Sequence, residues 1–377
     1  MRNQKQSFLI LIFAPILLAQ GKPAATSAMA QDHQPASYRP AFDEQELAAF
    51  SALEPIDTHT HIYKSDAAYF ALLRKLHLHI LDIVDVSDNG DPERRDLAKE
   101  QRDVFAVAND GHGHVAVCTS FDPYRFNQPD FATEAIETLN RSFAQGAIAV
   151  KVWKNVGMEV KDARGNYILP DAAPLEPIYR DIAQHHKTLV THVADPDTAW
   201  EPYEPAKPDS AYFAHNPQWY MYKIPGSPSK AQILRARDHL LEMNPDLRVV
   251  GAHLGSMEGN IDELARHLDR YPNFAVDLAS RIDYLAAVPP RTLIAFITKY
   301  QDRLIYGTDD SIYPEQNAAQ ASLEFEESYA NDWRFLATHE KARYDGRVVQ
   351  GLALPMPILR KLYHDNAVRW FPGILEK

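Results

Sequence analysis

The sequence predicts an α/β fold, a single (β/α)8 barrel. Three observations carry it. Eight short runs of apolar and β-branched residues alternate with amphipathic helical patterns. The turn after the first run carries histidines and a tyrosine, not the glycine-rich phosphate turn that the rival doubly wound sheet would need. Residues suited to chemistry recur at the carboxyl ends of the runs, where barrel enzymes gather their function.

In chain order, residues 1–30 read as a secretory signal peptide. Arg2 and Lys5 make a positive start, Phe8 to Leu18 is a compact apolar run, and Ala28-Met29-Ala30 offers a small-x-small cleavage site. The apolar run is short for a membrane span, although an uncleaved anchor is the alternative. The expected location is therefore periplasmic or secreted, with no stable membrane span after cleavage. Residues 31–54 form a linker and a short helix, Asp43 to Ala52, with Leu47, Phe50 and Leu53 on one side. The barrel occupies residues 55–377.

The predicted strands are Pro55–Ile62, Ile80–Val86, Val115–Phe121, Ala147–Trp153, Thr188–Val193, Arg248–Leu254, Phe274–Leu278 and Leu304–Gly307. Helical patterns between them include Phe131–Phe143, Leu175–His186, Lys230–Glu242, Ile261–Tyr271 and Arg291–Tyr300. The connection at 194–229 is too long for a plain turn and is rich in Pro, Tyr and Trp. It reads as a lid or substrate wall, with packing on a neighbouring subunit as the alternative. Asp310 to Arg347 reads as a second irregular stretch of wall, and Pro355–Phe371 as a closing helix.

The 377 residues and ordinary apolar content allow a sizeable core. A net charge of −12 argues against nucleic acid or an anionic membrane as partner, leaving a small-molecule substrate; a homodimer is compatible with the sequence. The lone Cys118 precludes an internal disulfide and reads as a core residue.

The first strand carries Asp57-Thr58-His59-Thr60-His61. Alternate strand residues share a face, so His59 and His61 offer half of a metal site. Two other pairs, His77/His79 and His112/His114, precede their strands and read as surface or helix-end histidines. At later strand ends come Lys151, His192, His253 and Asp309. Lys151 lies between valines, where a buried cation is costly. A carboxylated lysine would be an anion able to bridge two metals; binding a substrate carboxylate, or an ion pair, are the alternatives. Together His59, His61, Lys151, His192, His253 and Asp309 form a candidate ligand set.

This order resembles the amidohydrolase superfamily of metal-dependent barrels, over Ile56 to about Phe371. The motifs around His59 and His61, Gly255 after His253, Gly307-Thr308-Asp309 and His364-Asp365-Asn366-Ala367 are most similar to its amidohydrolase-related branch, which includes aminocarboxymuconate-semialdehyde decarboxylase. The resemblance implies that His59, His61, His192 and Asp309 hold a divalent metal, with His253 a second-metal ligand or a catalytic residue. Lys151 departs from the decarboxylase pattern and is more like the fourth-strand lysine of binuclear relatives. His364 reads as structural.

The donors suit Zn2+ best, one ion or two, and Mn2+ next. Asp309 is expected to orient water and move its proton, with His253 assisting. Arg281, Lys154 and Trp153 are the candidate substrate-binding residues. The leading expectation is a hydrolase of a C–N, C–O or lactone bond. Its rival is a non-oxidative decarboxylase of an aromatic or unsaturated carboxylic acid. A non-catalytic binding protein is the third reading.

Overall fold

The computed structural model describes residues 41–87 and 96–376. The signal-peptide reading and the linker to Pro40 lie outside the described residues. β1 (Ile56–Ile62), β2 (His79–Ile83), β3 (Val115–Ser120), β4 (Ala149–Val152), β5 (Thr188–Thr191), β6 (Arg248–Gly251), β7 (Phe274–Asp277) and β8 (Leu304–Ile305) pair in chain order, each parallel to the next. β9 (Asp310–Ile312) pairs in parallel with β1, Thr60 opposite Asp310.

β8 and β9 are two stretches of one barrel strand, broken at Tyr306–Asp309. Across the break, Thr58 N donates to Tyr306 O at 3.1 Å and Asp309 N to His59 O at 2.7 Å. These bonds join the last strand to the first, so the ring has no free edge. Gly307 lies against His59, where an added Cβ would sit 3.1 Å from the His59 Cβ.

Inside the ring, Ile83, Cys118, Ala149, Val190, Val250, Ala275 and Ile305 make one apolar layer. Cys118 is thus a core residue. From below, Trp370, Phe371 and Ile374 seal the same cluster. The closing segment is helical from Met356 to Trp370, with a π-helical turn at Lys361–Asp365. Asn366 Nδ2 anchors it by donating to the Gln301 and Leu304 carbonyls at 2.7 Å each. His364 Nδ1 bonds Glu54 O at 2.7 Å.

Strand period two then places the site. Counting two residues on from Ile83, Ala149, Val190 and Ala275 reaches Asp85, Lys151, His192 and Asp277. A polar rim therefore sits directly on the apolar plug. The other histidine pairs belong to the opposite end of the barrel. The His79 and His114 rings stack at 4.9 Å and bond the Gly113 and Leu78 carbonyls.

One expectation is corrected. Asp310 to Arg347 is not irregular wall but holds β9, a 20-residue helix, Ala318–Ala337, and a hairpin, Lys341–Tyr344 with Arg347–Gln350. Asn317 caps the helix by accepting from Ala319 N and Gln320 N. Ala321, Phe325, Tyr329, Trp333 and Leu336 bury one stripe at helical spacing, and Phe325 meets Tyr69 of the helix Ala67–Leu76. The acidic residues between them, Glu324, Glu326 and Glu327, mask that stripe in the sequence.

The insertion at 194–229 is built of short helical turns around buried Phe213, Trp219, Tyr220 and Met221. Trp200 Nε1 bonds Pro228 O at 2.8 Å, tying its two ends, and Asp209 accepts from Tyr284 OH at 2.6 Å, tying it to the loop after β7.

Candidate metal centre

Donor atoms of His59, His253 and Asp309 all lie within 4.8 Å of one another. His61 Nε2 is 3.3 Å from Asp309 Oδ1, and His59 Nε2 is 3.4 Å from the same oxygen. The His192 ring centroid is 4.3 Å from that of His253. Lys151 Nζ lies 3.0 Å from His59 Nε2. All six residues of the sequence-derived set thus stand at one end of the barrel.

Hydrogen bonds decide which nitrogen each ring offers. His61 Nδ1 lies 3.0 Å from Ile83 O, and His253 Nδ1 lies 2.8 Å from Ala279 O. A carbonyl can only accept, so both rings carry hydrogen on Nδ1 and keep a lone pair on Nε2. His59 Nδ1 bonds Asp277 Oδ2 at 2.9 Å and so also leaves Nε2 for the site. Buried His192 Nε2 has no hydrogen-bond partner, although Asp195 Oδ1 lies 3.3 Å away. A buried imidazole nitrogen without a partner, beside three others whose Nε2 atoms face the same site, is what a divalent cation needs. The residues fit such an ion.

Charge points the same way. Burial, then the charge of Lys151, hold His59 below its ordinary pKa, against the pull of Asp277. Burial and Lys154 push His192 well down, and burial with His192 does the same for His253. Neutral rings are the ligating form. Burial alone would raise the Asp309 carboxyl, but the imidazoles around it, His253 first, hold it well below the usual carboxylate range. Its side chain is 30% exposed, more than those of His59 and His61. Burial pulls the Lys151 ammonium down.

Two segments carry backbone strain. His253, Leu254, Gly255 and Ser256 follow one another with φ of 57°, 56°, 64° and 61°. Left-handed non-glycine residues cost roughly 1–2 kcal/mol each, and strain of this kind collects at functional sites. The turn is braced by Arg237, whose Nη1 donates to Gly255 O at 2.7 Å, and by Asp277 Oδ1, which accepts from His253 N at 2.8 Å. Asp309 itself sits at φ 74°.

A family comparison now decides the kinship. The amidohydrolase family model matches residues 56–373. The chain belongs to the amidohydrolase family. No curated protein sequence matches it. Among solved structures, an uncharacterised TIM-barrel protein of Bordetella bronchiseptica is similar at 16% identity, covering 85% of this chain and 99% of its own, with a TM-score of 0.48. A 2,6-dihydroxybenzoate decarboxylase is similar at 15% identity, 84% and 98% coverage and a TM-score of 0.49. The 4-oxalomesaconate hydratase of Rhodopseudomonas palustris is similar at 10% identity, 85% and 96% coverage and a TM-score of 0.48.

Of the candidate substrate-binding residues, Lys154 is already engaged. It is buried, with Nζ 2.9 and 2.7 Å from the two Asp195 oxygens and 4.6 Å from the Trp219 ring. Its charge is met within the protein, and so it is not a free rim cation. Trp153 packs edge-on to buried Trp219 at 5.1 Å. Arg281 differs from both. Its Nη1 donates to Ser280 O, yet its Nε is buried without a hydrogen-bond partner.

Sequence reasoning missed Asp277 and Asp195. Asp277 had a signal. It ends the seventh strand, where a lone carboxylate follows Phe274-Ala275-Val276 at a rim position otherwise without a candidate. Asp195 had none, since its partner lies 41 residues away.

Proposed function

We propose that this protein is an exported metal-dependent hydrolase that cleaves a C–N, C–O or lactone bond of a small organic substrate. The observation that carries the reading is the convergence of His59, His253 and Asp309 within 4.8 Å, with His61, His192 and Lys151 around them. His59, His61, His192 and Asp309 would hold one divalent cation. Lys151 and His253 would help to hold a second. The cation supplies Lewis acidity, acidifying water and polarising the scissile bond. Zn2+ suits the donors best, and Mn2+ next. The inference of export, to the periplasm or outside the cell, is supported by the pattern of residues 1–30.

The chain's own residues do the rest. Asp309, ionised and partly exposed, accepts the proton of the attacking water on one oxygen. Ser280 Oγ, 3.1 Å from Oδ2, holds the other. The proton then passes to the leaving group. His253, with Nδ1 fixed on Ala279 O, presents Nε2 to the reacting centre. The insertion at 194–229 walls the rim and excludes bulk water.

Arg281 favours a second reading, a non-oxidative decarboxylase. Its unmet Nε donor suits a substrate carboxylate. Elemental analysis of the purified mature protein, with a panel of lactones, amides, phosphoesters and hydroxybenzoates, tests both. Two metals per chain with net hydrolysis is the expected result. One metal with CO2 release moves the assignment to the lyase. A metal-free protein that turns over nothing removes both.

A further inference from the structure

We propose that Asp277 is the positioning residue of the metal centre, one carboxylate that sets the tautomer of His59 and seats the backbone of His253. It is 1% exposed. Oδ2 lies 2.9 Å from His59 Nδ1. Oδ1 accepts from His253 N at 2.8 Å and from Ala279 N at 3.2 Å. Each oxygen therefore has a different task. The Oδ1 side faces two backbone N–H groups that cannot turn away, so it must be an acceptor. The Oδ2 side, also an acceptor, obliges His59 to carry its hydrogen on Nδ1. On the other side of the ring, Lys151 Nζ lies 3.0 Å from Nε2.

This arrangement makes the isosteric change Asp277→Asn informative. The carboxamide has one acceptor and one donor end. Its oxygen is claimed by the N–H groups of His253 and Ala279, so its NH2 must face His59 Nδ1. The ring then keeps a lone pair on Nδ1 and moves its hydrogen to Nε2, the nitrogen that points into the site. A ligand is lost without being touched. Partners of this kind typically contribute 10–100-fold to metal affinity.

The test is a long-range proton–nitrogen NMR spectrum of metal-free, 15N-histidine-labelled protein, with His59 assigned by its absence in His59→Gln. Zn2+ affinity is measured by competition on the same samples. The wild type is expected to show His59 with hydrogen on Nδ1, and Asp277→Asn with hydrogen on Nε2. Zn2+ affinity should fall 10–100-fold. His61, held by Ile83 O, should keep its tautomer in both and so report an intact fold. A His59 ring that keeps Nδ1–H in the variant, or unchanged Zn2+ affinity, overturns the proposal. If the variant does not fold, the wild-type spectrum still decides, because Nε2–H there contradicts it. The affinity arm rests on the metal reading. A wild type that binds no Zn2+ while the tautomer still switches would remove that reading and leave the role of Asp277 standing.

Discussion

Asp309 is the group on which residue-scale chemistry turns. The surrounding imidazoles hold its carboxyl low, so it is ionised throughout the neutral range, and it is the most exposed of the converging residues. A ligand and a proton carrier can then be separated by one atom. Asp309→Asn keeps an oxygen for the cation and loses the base. It should retain at least part of the metal by elemental analysis while kcat drops about 10²–10⁴-fold. Normal turnover would remove the assigned role. His59→Ala and His192→Ala, by contrast, should lose both metal and activity. Lys154 and Asp195 make a different residue-scale case. Burial would pull the lysine down, but the Asp195 carboxylate and Tyr212 hold it above its ordinary value. Removing one partner of such a buried pair strands the other, at a cost of about 3–5 kcal/mol. Lys154→Met should therefore lower stability by that order in denaturant melts. Lys154→Met with Asp195→Leu should recover much of it.

At the scale of elements, the helix Ala318–Ala337 is tied to the barrel and hairpin by tyrosines on carboxylates. Asp332 accepts from Tyr306 OH at 2.8 Å and Tyr344 OH at 2.7 Å. Burial raises its carboxyl to about 6, against the two hydrogen bonds, from an unfolded value of 3.8. A carboxyl raised in the folded state keeps its proton while the unfolded chain has lost its own. The stability it contributes is full below pH 3.8 and is lost as pH rises through about 6. At 1.36 kcal/mol per pKa unit, the change is about 3 kcal/mol across that window. Asp332→Asn lacks a titrating group there. Relative to wild type, it should gain about that much between pH 4 and 7 in thermal melts at stepped pH. A constant difference across the range would contradict the buried-acid account.

For the whole molecule, the barrel's apolar plug carries stability and the polar rim works against it, with neutral histidines packed together, a strained turn and a carboxylate among them. A cation binding only the folded state should offset this by mass action, by about 2.7 kcal/mol at a hundredfold excess over Kd. Chelation should thus lower Tm, and Zn2+ should restore it. An unchanged Tm on chelation of a metal-loaded sample would argue that the ion does not sit among these six residues. No helix among the described residues is long and apolar enough to cross a membrane.

Much of this was legible in the chain itself. Eight apolar runs fall within a few residues of the eight strands, because period and composition are local properties of the backbone. The apolar runs extend past the strands at their carboxyl ends, as at Val84–Val86 and Val193, since apolar burial continues there after strand pairing stops. The six candidate ligands were identified from their place after each run, because a parallel barrel brings every such end to one rim. What only tertiary structure decided are the pairings across it. Asp277 meets His59 over 218 positions, Asp195 neutralises Lys154, and Gly307 lies close against His59. Local sequence sets what a segment tends to become and which way its side chains alternate. It carries no record of which distant atom will lie 2.9 Å away, and it is that atom which sets a tautomer or cancels a charge.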